Sequence, residues 1–195
     1  MNRRDFLKSC ALAAGGAVMS SSIVKAAGLA LSNKTLKMRV GPALPNIVFI
    51  MADDMGYGDL SCLNPGSKIP TPNMDRVAAG GMTFTDAHSS ASICTPSRYG
   101  VLTGRYCWRS SHANGGALNG TDKLFMDTNR MTVASLLKKH GYETACVGKW
   151  HLGLTNTAPV DFDNPPITPG PNEFGFDYWF GIPASLDFEP YLYIE

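Results

Sequence analysis

The sequence lacks the cysteine spacings that mark small cross-linked or zinc-binding proteins. Its 195 residues include five cysteines, an odd number at irregular spacing, with no Cys-x-x-Cys pair. This pattern argues against a disulfide scaffold and against a zinc ribbon. Internal repeats and low-complexity tracts are also missing. With 44% hydrophobic and 17% charged residues, the chain is predicted to fold as one globular domain rather than to be disordered.

A long hydrophobic run is missing as well. The mildly apolar run from Cys10 to Val24 is rich in Ala, Gly and Ser. It is shorter and less hydrophobic than the about 20 residues that span a bilayer core, so no stable membrane anchor is expected. Arg3 and Arg4 precede this run, and small residues follow it at Ala26 and Ala27. These features are typical of a cleaved export signal.

We therefore predict a twin-arginine-type signal peptide with its cleavage region over residues 1–30. Residues 31–44 are then a linker-like lead, and residues 45–195 belong to the folded domain. The predicted partner for export is the twin-arginine machinery, and the predicted location is periplasmic or secreted.

The chain has no strongly basic segment apart from its N-terminus. Residues 1–27 hold four of the 17 basic and one of the 16 acidic residues, so the remaining chain has 13 basic and 15 acidic residues and a net charge of −2. A nucleic-acid-binding surface needs clustered Lys and Arg. Nucleic acid is therefore not an expected partner.

The periodicity of the remaining chain predicts alternating strands and helices, which is typical of an α/β fold. The apolar run 46–51 has the composition of a buried central strand. Capping residues predict short helices over 71–81 and 132–141. Further strands are predicted over 82–87 and 144–147 and within the aromatic run 174–180.

Polar residues follow two of these strands at their carboxyl ends, where open α/β sheets carry their ligands. Asp53 and Asp54 come after the first apolar run. Adjacent carboxylates repel each other unless a positive charge lies between them, and Ca²⁺ or Mg²⁺ would supply it. A solvated turn is the alternative. Lys149 and His151 follow the later strand and, in extended chain, would lie on the same side, as an anion site with a proton donor.

The segment Cys94-Thr95-Pro96-Ser97-Arg98 is followed by Leu102-Thr103-Gly104-Arg105. Pro96 suits a first helical turn. The helix that starts here would direct free N–H groups and its positive dipole end toward Cys94, which favours an anion at that place. A buried free cysteine before an ordinary helix is the other interpretation.

Three motifs occur in order: the strand ending in Asp53-Asp54, the Cys94 segment, and Gly141-Tyr142-x-Thr144-x-x-Val147-Gly148-Lys149-Trp150-His151. Together they closely resemble the sulfatase family. The resemblance implies an α/β fold, an alkaline-phosphatase-like mixed-sheet sandwich. Only the N-terminal portion of that catalytic domain is matched, so this chain is expected to be truncated and inactive by itself.

The resemblance also implies the nucleophile and the metal. In sulfatases the residue matching Cys94 is converted to formylglycine by a formylglycine-generating or sulfatase-maturating enzyme. One hydroxyl of the hydrated aldehyde attacks sulfur, and the other allows sulfate to leave as the carbonyl re-forms. Asp53, Asp54 and the modified Cys94 would bind Ca²⁺, with Mg²⁺ as the second choice.

The remaining roles that the resemblance implies concern the sulfate. Arg98 would stabilise the hydrate, Lys149 would hold the sulfate, and His151 would orient the nucleophile or assist proton removal. Ser185 matches a further sulfate-binding position. The expected function is hydrolysis of aryl or carbohydrate sulfate esters, on a sulfated small molecule or glycan. The alternatives are a phosphodiesterase or phosphonate hydrolase of the same superfamily and a non-catalytic exported fragment.

Overall fold

The structure is a computed structural model that describes residues 44–195. The predicted signal peptide at 1–30 lies outside the described residues, as does the lead at 31–44 except for Leu44. The chain divides into two compact units, Met1–Phe49 and Ile50–Glu195. In the first unit, residues 44–49 are described, and they have no assigned helix or strand.

Two of the predicted strands are not formed in the described part of the chain. The run 46–51 has no strand assignment, and Val48 and Ile50 are each 81% exposed. The segment 82–87 is irregular, with Met82 and Phe84 largely exposed. An apolar or alternating segment becomes a strand only when a neighbouring strand accepts and donates its backbone hydrogen bonds. Neither segment belongs to the two-stranded ladder of the described residues.

Three α-helices are present: α1 at Pro72–Gly80, α2 at Cys94–Thr103 and α3 at Val133–Lys139. The predicted helices 71–81 and 132–141 are thus confirmed with slightly shorter bounds. α3 begins with Thr132, whose hydroxyl oxygen accepts a hydrogen bond from the Ser135 N–H. Short 3₁₀ turns lie at Tyr57–Asp59, Cys107–Arg109 and Pro171–Phe174.

The sheet consists of β1, Ala145–Lys149, and β2, Tyr178–Ile182, which pair in parallel. Ala145 lies opposite Tyr178, and Lys149 lies opposite Ile182. Parallel pairing with helices before the strands confirms the predicted α/β class. β1 extends two residues beyond the predicted strand, and β2 begins later than the predicted run because Pro171–Phe174 forms a 3₁₀ turn.

A cluster of buried apolar side chains includes residues of α2, of β2 and of the segment that leaves β1. Leu152, Leu154 and Phe174 are at most 1% exposed. Full burial of each such side chain contributes about 1.5–3 kcal/mol. The Trp150 ring packs against Phe174, with 5.9 Å between ring centroids. This cluster holds the residues that follow β1 in a defined conformation.

None of the helices in residues 44–195 has the length and apolar character needed to cross a membrane.

Candidate active site

The N-terminus of α2 and the carboxyl end of β1 are joined by Arg98. One guanidinium nitrogen of Arg98 donates a hydrogen bond of 2.6 Å to the backbone carbonyl oxygen of Lys149, the last residue of β1. Arg98 lies one helical turn after Cys94, the first residue of α2. Positions four apart are neighbours on a helix surface. The predicted nucleophile position and the end of β1 are therefore brought together.

Asp53 forms ion pairs with the two basic side chains Lys149 and Arg98. Its Oδ2 atom lies 2.5 Å from Lys149 Nζ and 3.5 Å from Arg98 Nη2. Partial burial alone would raise the pKa of the Asp53 carboxyl. The hydrogen bond from Lys149 and the positive charges of Lys149 and Arg98 outweigh burial, and the pKa is held below its ordinary value. Asp53 is therefore a carboxylate at neutral pH.

His151 is fully buried and lies just beyond the end of β1. Its backbone has a positive φ of 60°, a conformation that costs about 1–2 kcal/mol in a non-glycine residue. Hydrogen bonds hold it on both sides: its N–H donates to Pro183 O at 2.9 Å, and its carbonyl accepts from the Thr95 hydroxyl at 3.0 Å.

The prediction that Lys149 and His151 lie on the same side of an extended chain is wrong in its premise. β1 ends at Lys149, and the positive φ of His151 breaks the alternation of side chains. The two residues still interact electrostatically. Burial lowers the pKa of His151, the bond to Leu118 raises it, and the charges of Lys149 and Arg98 lower it further. The net shift is downward, so the ring is neutral near pH 7.

The His151 ring has one nitrogen bound and one nitrogen without a partner among the described residues. Nε2 lies 2.6 Å from the carbonyl oxygen of Leu118. Because a carbonyl only accepts, Nε2 carries the proton of the neutral ring. Nδ1 is buried and has no hydrogen-bond partner within residues 44–195. An orphaned buried acceptor at a cluster of charged groups is typical of a functional site rather than of a packed core.

The predicted metal ligands do not form a complete calcium site by themselves. Asp53 Oδ2 is engaged with Lys149 and Arg98, and Asp54 is exposed, with a positive φ of 56°. The described residues contain no group of three or more His, Cys, Asp or Glu side chains placed to hold one ion. Ca²⁺ takes six to eight oxygen ligands, so two carboxylates and Cys94 are too few.

Ser185, the predicted sulfate-side residue, lies in the turn after β2. Its side chain is buried and donates a hydrogen bond of 2.6 Å to Asp187 Oδ2. Phe188, in the same turn, packs against the His151 ring with 5.8 Å between centroids. This turn therefore adjoins the His151 side of the cluster. A sulfate bound by Ser185 would compete with Asp187 for the hydroxyl proton.

A comparison with protein-family models identifies residues 45–191 as a match to the family named Sulfatase. The chain belongs to the sulfatase family. Its curated relatives include an N-acetylgalactosamine-6-O-sulfatase from Bacteroides thetaiotaomicron, which is 48% identical over 151 residues. That match covers 77% of this chain and 29% of the relative. This chain thus spans less than a third of that relative's length.

Solved structures give the same family and fold. One, from work on glycosaminoglycan metabolism by Bacteroides thetaiotaomicron, matches with a TM-score of 0.72 and 48% identity, covering 77% of this sulfatase chain and 31% of that one. Another, called Ps i-CgsB and solved with a neocarrahexaose, matches at a TM-score of 0.54 and 33% identity, covering 68% and 27%. The predicted family and its alkaline-phosphatase-like α/β fold, present here as a partial domain, are confirmed.

The sequence motifs pointed to Cys94, Arg98, Lys149 and His151, but not to the groups that hold His151. Thr95 lies inside the Cys94 segment, but the neighbouring residues carry the recognisable chemistry. Leu118 acts through its backbone, and a backbone contact leaves no residue type by which to recognise it. Phe188 lies in a short polar turn whose direction could not be predicted.

Proposed function

We propose that this sulfatase hydrolyses sulfate esters of carbohydrates or aryl alcohols through a formylglycine formed at Cys94. The proposal rests on the arrangement of Arg98, Lys149 and the buried His151 close to the start of α2. Two fixed positive charges and a neutral imidazole match the needs of a tetrahedral oxyanion and of proton transfer. Family membership supplies the reaction class.

Each residue contributes a separate task. Arg98 and Lys149 stabilise negative charge on the sulfate oxygens, since both are cations held in place by hydrogen bonds. The neutral His151 ring accepts a proton at Nδ1. Ser185 donates a hydrogen bond to the sulfate. The formylglycine, once formed and hydrated, would supply a geminal diol: its first hydroxyl would attack sulfur and displace the alcohol of the ester, and its second would lose its proton as inorganic sulfate leaves and the aldehyde re-forms.

We also propose that the site binds Ca²⁺ and that the carboxylates of Asp53 and Asp54 are among its ligands. Residues 44–195 do not complete the coordination of the ion by themselves.

The relatives support the proposed substrate class. One relative is named as an N-acetylgalactosamine-6-O-sulfatase, and one structural neighbour holds a neocarrahexaose. These support a sulfated glycan as the substrate. A twin-arginine signal at 1–30 and a periplasmic or secreted location are consistent with a polymeric substrate outside the cytoplasm, and both remain part of the proposal.

The test is production of the protein together with a formylglycine-generating enzyme. Mass spectrometry of the Cys94 peptide should show the loss of sulfur that accompanies aldehyde formation. Sulfate release is then measured from an aryl sulfate and from 6-O-sulfated N-acetylgalactosamine, before and after EDTA, with Ca²⁺ or Mg²⁺ added back. Cys94→Ala is the matched inactive control.

Three results would contradict the proposal. The first is an unmodified Cys94 thiol after co-production with the maturating enzyme. The second is hydrolysis of a phosphodiester or phosphonate in preference to every sulfate ester, which would favour the related hydrolase. The third is complete conversion of Cys94 without any turnover, which would match the expectation that this chain is inactive by itself and would favour a non-catalytic fragment.

A further inference from the structure

Three residues that are far apart in the sequence form a closed cycle of hydrogen bonds beside the start of α2. The Thr95 hydroxyl donates to the His151 carbonyl at 3.0 Å and accepts from the Leu118 N–H at 3.2 Å. The Leu118 carbonyl in turn accepts from His151 Nε2 at 2.6 Å. Thr95 and His151 are both fully buried, so water does not compete for these bonds.

The cycle determines which ring nitrogen is basic. A carbonyl oxygen accepts hydrogen bonds and cannot donate them, so the Leu118 carbonyl selects the tautomer with its proton on Nε2. The lone pair is then on Nδ1, which has no partner among the described residues. The His151 ring is therefore poised as a proton acceptor through Nδ1.

The Thr95 hydroxyl is the central group of the cycle because it bonds both backbone segments at once. It anchors the Leu118 backbone through its N–H, in the same residue whose carbonyl accepts from the His151 ring. It also bonds the carbonyl of His151 and so supports the positive φ of that residue, which is an unfavourable conformation for a side chain other than glycine. Without this hydroxyl, both backbone groups would be buried without that partner.

We propose that Thr95 is a positioning residue that holds His151 as the Nε2-protonated tautomer and so makes Nδ1 the base of the site. Thr95 touches no reacting atom and acts through His151. The use of the base in sulfate-ester hydrolysis rests on the proposed function, whereas the tautomer and its dependence on Thr95 do not.

The experiment compares the full chain with two substitutions at one position. Thr95→Val keeps the shape of the side chain and removes the hydroxyl, and Thr95→Ser keeps the hydroxyl. Thr103→Val is the matched control, because it removes a hydroxyl at the other end of the same helix, which donates to Tyr99 O and accepts from the Arg105 N–H. Long-range ¹H–¹⁵N correlation spectra report the tautomer of each of the four histidines, and His151→Gln identifies the signals of His151.

In the unsubstituted chain and in Thr103→Val, we expect one His151 tautomer, with the proton on Nε2. In Thr95→Val we expect a mixture of tautomers, together with a loss of about tenfold in kcat per formylglycine and little change in KM, since a positioned general base contributes about 10²–10⁴-fold. Thr95→Ser should restore both. Counting formylglycine by mass spectrometry separates this loss from poorer maturation of the adjacent Cys94.

A proton on Nδ1 of the unsubstituted chain overturns the proposal, whether or not any variant folds. Unchanged tautomer and unchanged kcat in a folded Thr95→Val overturn it too, as does a folded Thr95→Ser that loses the Nε2 tautomer. If the tautomer results hold while no variant releases sulfate, the proposed function fails and the role of Thr95 stands.

Discussion

Arg98 on α2 reaches the backbone carbonyl of Lys149 at the end of β1, with 2.6 Å between donor and acceptor. Another nitrogen of the same guanidinium lies 3.5 Å from the carboxylate of Asp53. Arg98 therefore joins three separate segments of the chain, and its side chain is only 13% exposed. The guanidinium presents several donors in a fixed plane over three nitrogens, whereas a lysine carries its three donors on one nitrogen and does not reproduce this geometry.

Replacing Arg98 should accordingly be severe even when the charge is kept. We expect Arg98→Lys to lower the rate of sulfate release by about 10²-fold, on the scale observed for lost donors to developing oxyanions. The measurement is kcat/KM on an aryl sulfate, normalised to the formylglycine content. Arg76→Gln, at an exposed position of α1, is the control and should leave kcat/KM unchanged. Equal activity of Arg98→Lys and the parent would contradict the role assigned to the guanidinium.

His151 should make the stability of the fold depend on pH. Burial lowers the pKa of its folded-state imidazole, so the unfolded chain binds a proton at higher pH than the folded chain does. Its contribution to stability is complete above the unfolded pKa of about 6.5 and is lost as pH falls toward the lower folded value. Urea denaturation from pH 7 to pH 5 should show the free energy of unfolding decreasing.

The matched variant for this pH effect is His151→Gln. It leaves the other three histidines in place, so the difference between the two pH profiles isolates the buried imidazole. We expect the variant to lose less stability across the same window. Parallel profiles would show that the ring titrates alike in both states.

Thr132, at the start of α3, should contribute strongly to the stability of the folded chain. Its hydroxyl accepts from the Ser135 N–H at 3.0 Å and donates to Phe174 O at 2.5 Å, and the residue is buried. Thr132→Ala removes a helix cap and leaves a buried carbonyl without this donor. We expect a loss of about 1–3 kcal/mol in the free energy of unfolding. Thr85→Ala, at an exposed position, should change it by less than about 0.5 kcal/mol.

Leu152 offers a test of the apolar cluster beside β1. It is 0% exposed, whereas Leu186 is 72% exposed. Leu152→Ala should lower the free energy of unfolding by about 2–5 kcal/mol, because it removes buried methyl groups and leaves a cavity. Leu186→Ala should be close to neutral. Similar losses for both substitutions would show that the cluster around Leu152 is not packed as described.

The elements that could be predicted from the sequence are those with characteristic residues at their own boundaries. α1 has a threonine, a proline and a glycine at its boundaries, and α3 has a threonine cap with lysines in its last turn, so both followed from short-range chemistry. The run 46–51 was predicted as a strand from composition alone. Composition indicates that a segment suits a sheet, but pairing decides whether it joins one.

In the candidate site, too, residues within sequence motifs could be predicted, whereas contacts between distant segments could not. Arg98 and Lys149 were predicted from motifs, and the structure brings them together with Asp53. The pairing of Lys149 with Asp53 was not predicted, because the two positions are 96 residues apart. Nor was the contact of Thr95 with His151, which depends on a backbone carbonyl in an unusual conformation.

The exchange rate of the buried Leu118 amide proton can report on the state of this site. Its amide proton is covered by the Thr95 hydroxyl and belongs to a residue with no catalytic side chain. An amide exchanges with solvent only when its hydrogen bond opens, so its exchange rate measures the free energy of opening at that point. Deuterium uptake at one leucine thus monitors whether the base of the site is assembled, without substrate, metal or turnover.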